Sequence, residues 1–208
     1  MLKKGEEKMD GLFARVYHGS QIVAKLMYVN ALWVGGIILG GGIFGLFPAT
    51  IALFSVVRKW IMGEKDLPII ATFWRYYKSD FKRANLLGYA LSLIGFFLYF
   101  DLRFFQTEMN PGYGIISLIF LSLLFWFCVV LLYIFPVYVH YDFSLVQYVK
   151  HAIILSFARP LQTMAMLVGI IAVYLLFQYI PGLVFFIGGS LLAYILMFLA
   201  SFSFARGV

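Results

Sequence analysis

The chain alternates between long apolar runs and short stretches that hold nearly all of its charged residues. The apolar runs cover about 26–57, 86–100, 114–139, 161–179 and 182–204. A helix that crosses a bilayer needs roughly 20 predominantly apolar residues. The pattern therefore predicts an all-α fold: a polytopic integral membrane bundle that occupies residues 1–208 as a single domain and has about five to six membrane helices.

Composition excludes a soluble protein and changes how the charge is interpreted. The 208 residues are 63% apolar and 12% charged, whereas about a quarter of an ordinary soluble domain is charged. The net charge of +7 sits in the short connecting stretches rather than on one basic domain. We therefore expect contact with anionic lipids at the inner leaflet and no nucleic-acid partner.

The positions of the basic residues predict the orientation in the cell membrane. Seven of the 16 Lys and Arg residues lie between Arg58 and Arg83, and five lie before the first apolar run. Short loops rich in Lys and Arg stay on the cytoplasmic side. The runs 86–100, 114–139, 161–179 and 182–204 are then transmembrane helices, and both termini are cytoplasmic.

The first apolar run is predicted to be a helical hairpin over 26–60, because both of its ends are basic. Gly40, Gly41 and Gly42 can adopt the positive φ angles of a sharp turn. Arms of about 14 residues are only about 21 Å long, so this hairpin is either re-entrant or thins the bilayer. The alternative is one long tilted helix that places the N-terminus outside.

Two further features support the hairpin. Pro48, followed by Ala49 and Thr50, is predicted to lie in the first turn of the second arm, where its missing N–H is harmless. Gly36 and Gly45 are predicted to let helices pack closely.

Three segments are predicted at the cytoplasmic surface. Residues 68–84 form a basic and aromatic amphipathic helix, residues 10–25 repeat this pattern more weakly, and residues 144–158 form an apolar connector helix. Such faces lie among lipid headgroups or dock a partner protein. The candidate contact residues are Arg58, Lys59, Phe73, Trp74, Arg75, Lys78, Phe81, Lys82 and Arg83.

Catalytic and metal-binding patterns were not found, and we expect no cofactor, no metal and no enzymatic activity. The three histidines are scattered without metal-ligand spacing. His140 and Asp142 are either an interfacial cap or a proton-handling pair. The apolar runs carry no mid-membrane ionisable group of the kind that marks ion-coupled carriers.

The stretch "GLFPATIALFSVVRKWIMGEKDLPIIATFWRYYKSDFKRANLLG" resembles the signature region of the YesL-like family, a domain of unknown function in Gram-positive bacteria. The matching elements are Asn30 with Trp33, Pro48-Ala49-Thr50, Arg58-Lys59, Gly63-Glu64, Phe73-Trp74 and Phe81. Proteins of this kind are typically encoded beside ABC importers for oligosaccharides. The family has no established catalytic residues.

The resemblance implies an accessory membrane subunit that packs against the permease subunits of a carbohydrate ABC importer. Two other functions remain open on the residues alone. One is a standalone small-solute transporter or channel, and the other is a structural or lipid-organising membrane protein.

Overall fold

The computed structural model describes residues 2–64, 66–107 and 113–204, with side chains from Gly19 onward, and this part of the chain is helical throughout apart from short connections. The helices are α1 (Leu2–Leu39), α2 (Ile43–Ile61), α3 (Ile69–Ser79), α4 (Phe81–Thr107), α5 (Tyr113–His140), α6 (Leu145–Ala158), α7 (Pro160–Tyr179) and α8 (Leu183–Phe204). The predicted all-α fold is confirmed.

Within the described residues, six helices are long and apolar enough to span a membrane. They are the Gly19–Leu39 part of α1, together with α2, α4, α5, α7 and α8. The chain is therefore a multi-pass membrane protein, and the number of candidate spans agrees with the predicted five to six. Helix α6 is apolar but too short for this group.

Helix α1 differs from the predicted division into an interfacial helix (10–25) and a separate hairpin arm. It runs without interruption from Leu2 to Leu39, and the sequence places no proline between them that would break the helix. The amphipathic face predicted for residues 10–18 involves side chains outside the described part.

The predicted amphipathic helix over 68–84 is two helices. Helix α3 ends at Ser79, and α4 begins at Phe81. The backbone carbonyl of Asp80 accepts the Ala84 N–H at 2.7 Å, which starts the α4 ladder. Phe81, Lys82 and Arg83 therefore belong to the first turn of a membrane helix.

The buried core consists of two contiguous groups of side chains. One is built around α5, where Tyr133 and Val137 are fully buried, and the other around α2 and α3, where Val56 and Phe73 are fully buried. The far halves of α4 and α5, residues 93–107 and 113–126, project beyond both groups. We call this projection the α4–α5 arm; Leu102 is its only buried residue in the described part of the chain.

The ends of several helices meet at one end of the bundle. The Tyr138 hydroxyl, near the end of α5, donates to Asp80 just before α4 at 3.2 Å. The ring of His140 stacks on Phe204, the last residue of α8, at 4.2 Å. We call this the basic end, because Lys82 and Arg83 in the first turn of α4 lie here.

Candidate functional site

The connection between α1 and α2 is a tight glycine turn at the predicted place. Gly41 and Gly42 have φ angles of 72° and 78°, a region that side chains with a Cβ rarely adopt. The Gly42 N–H donates to the Ile37 carbonyl at 2.8 Å, so the turn also closes the end of α1. The first apolar run is therefore a helical hairpin.

The two arms of the hairpin approach closely because glycines face each other. A Cβ built on Gly45 would lie 2.5 Å from the Ile37 carbonyl oxygen, and one on Gly40 would lie 2.2 Å from the Gly45 Cα. On Gly36 a Cβ would meet Ala49 at 3.2 Å. Gly36 and Gly45 thus pack helices within the chain, between α1 and α2.

The prediction that Pro48 lies in the first turn of the second arm is wrong. Helix α2 begins at Ile43, so Pro48 lies in its interior and cannot donate to the Phe44 carbonyl one turn earlier. That carbonyl instead accepts the Nδ2 amide of Asn85 at 3.0 Å. The same nitrogen also donates to Phe81 at 2.9 Å, so a side chain of α4 replaces the donor that α2 lacks.

Trp33 and Thr50 connect the two arms at mid-height. The Trp33 indole N–H donates to Thr50 Oγ1 at 3.1 Å, and the Thr50 hydroxyl donates to the Leu46 carbonyl at 2.7 Å. The Trp33 ring covers Gly189 of α8, where a Cβ would lie 2.9 Å from the ring. Trp33 therefore links α1, α2 and α8.

Asn30 joins the first membrane helix to the last. Its Nδ2 donates to the Phe185 carbonyl at 2.9 Å, and its Oδ1 accepts the N–H groups of Gly189 and Ser190, both at 3.1 Å. The residue is 2% exposed. A buried amide with three partners from one helix fixes the position of that helix against α1.

Helix α3 lies against the hairpin rather than apart from it. The Tyr77 hydroxyl donates to the Gly36 carbonyl at 2.9 Å. Burial raises the pKa of Tyr77 above its ordinary value, which keeps this donor protonated. We call Asn30, Trp33, Thr50, Tyr77 and Asn85 the hairpin cluster.

Phe73 was predicted to contact lipid or a partner, and this is wrong. It is fully buried beneath α3, because Gly36 has no side chain and leaves space for the ring. Trp74 and Phe81 are half-buried and make edge-on contacts with the Tyr77 ring, at 5.2 Å and 5.6 Å.

The predicted basic contact residues, apart from Arg58, fall into two groups. Lys59 pairs with Glu64 at 2.6 Å, and Arg83 bonds to the Phe143 carbonyl and lies 3.5 Å from Asp142. The other group is exposed and consists of Arg75, Lys78 and Lys82. Arg58 is half-buried. The exposed group is the part of the predicted surface that is open to lipid or a partner.

The hairpin turn lies beside the beginning of α4. The rings of Phe44 and Phe47 contact Tyr89 edge-on at 6.0 Å and 5.4 Å. At about 1.5 Å per residue, Tyr89 is about 12 Å from the first residue of α4 and about 27 Å from its last. The tip of the hairpin is therefore much nearer the basic end than the far end of the bundle.

Within the described residues, no group of three or more His, Cys, Asp and Glu side chains could hold a metal ion. The two candidates for a proton-handling pair make separate contacts: Asp142 pairs with Arg83, while His140 stacks on Phe204.

Comparison with known proteins gives a consistent family. Residues 26–102 match the family described as "Protein of unknown function, DUF624". The chain is 38% identical to the uncharacterized protein YteU of Bacillus subtilis (strain 168) over 188 residues, which are 89% of this chain and 83% of YteU. The chain belongs to the DUF624 family.

Two more relatives in the same organism extend this result. The uncharacterized protein YesV is 36% identical over 192 residues, 92% of each chain, and the uncharacterized protein YesL is 33% identical over 174 residues, 84% of this chain and 82% of YesL. The YesL-like resemblance is thus confirmed. No solved structure matches.

The DUF624-matching region contains the whole hairpin cluster, whose partners outside the region lie on α8. Sequence reasoning singled out neither Asn85 nor Tyr77 as a polar contact between helices. An asparagine directly before an apolar run was a usable signal, since a polar amide in a membrane helix needs a partner. The identity of that partner was not readable from the local sequence.

Proposed function

We propose that this DUF624 protein is a non-catalytic accessory membrane subunit of a bacterial carbohydrate ABC importer. In this role it packs against the permease subunits and stabilises or modulates them. The importer association rests on the family resemblance described above.

The observation that carries the proposal is how the hairpin cluster is used. Its polar side chains bond to backbone or to each other across α1, α2, α3, α4 and α8. Groups committed to helix packing do not bind a substrate, so they support a scaffold. A scaffold acts through its outer surface.

The α4–α5 arm is the surface that we assign to the permeases. Its large side chains are exposed, among them Phe97 at 54% and Leu118 at 62%. The arm is tied to itself by the stack of Phe105 on Phe120 at 5.5 Å. Gly36, Gly40 and Gly45 are used in packing within the chain, so we assign the permease contact to this arm instead.

Affinity purification from native membranes of cells grown on the relevant glycan tests the association. We expect permease subunits to co-purify with the wild-type protein and their recovery to fall about tenfold in a Phe97→Ala, Leu118→Ala variant, as for truncated interface anchors. The matched control is Leu161→Ala on α7, whose side chain is 77% exposed. A wild-type protein that is always recovered alone contradicts the proposal.

The competing functions give different results in a second assay. A standalone carrier or channel moves solute across liposomes that contain only this protein, whereas an accessory subunit does not. A lipid-organising protein shows neither solute flux nor recovered permeases.

We also propose that both termini are cytoplasmic and that the hairpin does not cross the bilayer. The short distance between the hairpin tip and the basic end supports this topology. In a Cys128→Ser background, a membrane-impermeant thiol reagent should label Thr107→Cys from outside and Lys8→Cys only in inverted vesicles. Labelling of Lys8→Cys in intact cells contradicts the topology.

The exposed cations Arg75, Lys78 and Lys82 are proposed to contact anionic lipids at the inner leaflet. Each basic residue near such a surface contributes about 1 kcal/mol. The test is the amount of anionic lipid that stays bound to the purified protein. Charge removal at all three positions should reduce the anionic lipid that co-purifies.

A further inference from the structure

A cleft of about 360 Å³ lies between α1, the end of α2, the following loop and α8. Its walls combine opposite charges with polar and apolar groups. They are formed by Gln21, Ile22, Lys25, Leu26, Trp60, Asp66 and Tyr194. Lys25 brings a cation and Asp66 a carboxylate to the same opening, while Ile22 and Leu26 supply an apolar wall.

The cleft lies at the end of the apolar helix α2. The apolar span of α2 ends at Ile61, one residue after Trp60, and Asp66 follows in the loop. Trp and Tyr side chains are enriched at this level, where the ring is in the apolar region and the polar atom reaches the headgroups. Trp60 and Tyr194 both line the cleft.

The Trp60 indole supplies a second observation. Its Nε1 is buried and has no hydrogen-bond partner among the described residues. Buried donors in proteins almost always have an acceptor, and exceptions require an explanation such as a bound group. In the hairpin cluster, by contrast, the indole N–H of Trp33 is bonded to Thr50.

We propose that this cleft binds the headgroup of an amine-bearing zwitterionic phospholipid. Its phosphate lies near Lys25 and the Trp60 N–H, its primary ammonium lies near Asp66, and its acyl chains leave along Ile22 and Leu26. The assignment follows from charge complementarity: a primary ammonium gives Asp66 a positively charged donor, whereas a glycerol headgroup offers only neutral hydroxyls and a quaternary ammonium has no N–H.

Native mass spectrometry of the purified full chain with defined lipids tests the assignment. At equal concentrations we expect the one-lipid complex with phosphatidylethanolamine to exceed those with phosphatidylglycerol and phosphatidylcholine by about tenfold, the effect of one charge-assisted hydrogen bond. Equal retention of phosphatidylglycerol overturns the proposal.

Two variants assign the contacts. Asp66→Asn should abolish the preference for phosphatidylethanolamine, while Glu64→Gln, in the same loop but paired with Lys59, should keep it. Trp60→Phe should lower retention of every phospholipid, while Trp74→Phe should not.

Asp66 can be substituted without disturbing the fold. Asp66 is exposed, so its substitution leaves the core intact, and gel filtration confirms that each variant is folded. If the Asp66→Asn and Glu64→Gln variants show the same preference for phosphatidylethanolamine, Asp66 does not bind the ammonium and the proposal fails.

Discussion

Helices α2 and α5 are both long and apolar enough to span a membrane, but they contact the rest of the protein in opposite ways. Among the six candidate spans, α2 is the least apolar and the most buried, with 56% of its window buried inside the protein, while α5 is the most apolar and the least buried, with 11%. In a soluble protein the order is reversed. Transfer of an apolar side chain from lipid to the protein interior changes its free energy little. The interior is therefore held together by close backbone contact and hydrogen bonds instead.

The same contrast separates the hairpin cluster from the α4–α5 arm. The cluster holds hydrogen bonds between helices that are far apart in sequence, and its glycines allow backbones to touch. The arm carries stacked phenylalanines and exposed apolar groups. Substitutions in the first region should therefore be much more destructive than equally large ones in the second.

Gly45→Leu should have the largest effect. Even a Cβ at this position would meet the Ile37 backbone at 2.5 Å, and backbone atoms cannot move aside as a side chain can. We expect a loss of about 3 kcal/mol or more in the free energy of unfolding, measured by denaturant titration in detergent micelles. Gly35→Leu is the control, since a Cβ there has no neighbour within 4 Å; equal damage by both contradicts the close approach of α1 and α2.

Asn30→Leu should have the next largest effect. It removes three hydrogen bonds to α8 from a buried position, and at about 1 kcal/mol each, partly offset by the normal α8 ladder, we expect a loss of about 2 kcal/mol. The same titration measures it, and protease sensitivity of the α7–α8 connection reports the loosening of α8. A variant as stable as the wild type would show that Asn30 does not anchor α8.

Asn85→Leu should lower the free energy of unfolding by about 1 kcal/mol, because the Phe44 carbonyl loses its donor. The matched background is Pro48→Ala, which restores an N–H within α2. If Asn85 substitutes for the missing donor, the two changes couple, and Asn85→Leu should be less damaging after Pro48→Ala. A double-mutant cycle with strictly additive terms would refute this relationship.

Leu118→Ala on the arm should have the smallest effect, within about 0.5 kcal/mol. Its side chain is 62% exposed, so the substitution removes contacts with lipid rather than with other helices. The value of this variant is that it should remain folded while it weakens permease recovery. A large loss of stability would place Leu118 in an internal contact instead.

Features that depend on a few neighbouring residues could be predicted from the sequence. The glycine triplet and the basic flanks predicted the hairpin, because a turn and a charge rule act over a few residues. The position of Pro48 was mispredicted because its accommodation depends on Asn85, on another helix. Phe73 was misplaced for a related reason: helical periodicity shows which face is apolar, but not whether lipid or protein covers it.

Long-range partners were beyond the sequence. Nothing near Asn30 indicates that its amide will meet Phe185, and nothing near Tyr77 indicates Gly36. In a membrane protein this limit is severe, since apolar patterns alone do not distinguish one neighbouring helix from another.

The hydrogen bond from the Ser190 N–H to Asn30 Oδ1 has a consequence for biosynthesis. At about 5–20 residues per second, the ribosome needs roughly 8–32 s to make the segment between them. During that time the Asn30 amide of the first inserted helix lacks its hydrogen-bond partners on α8. A nascent chain that stops before α8 should thus be recognised and degraded by membrane quality control. The first helix reaches its final packing only after the last helix has been made.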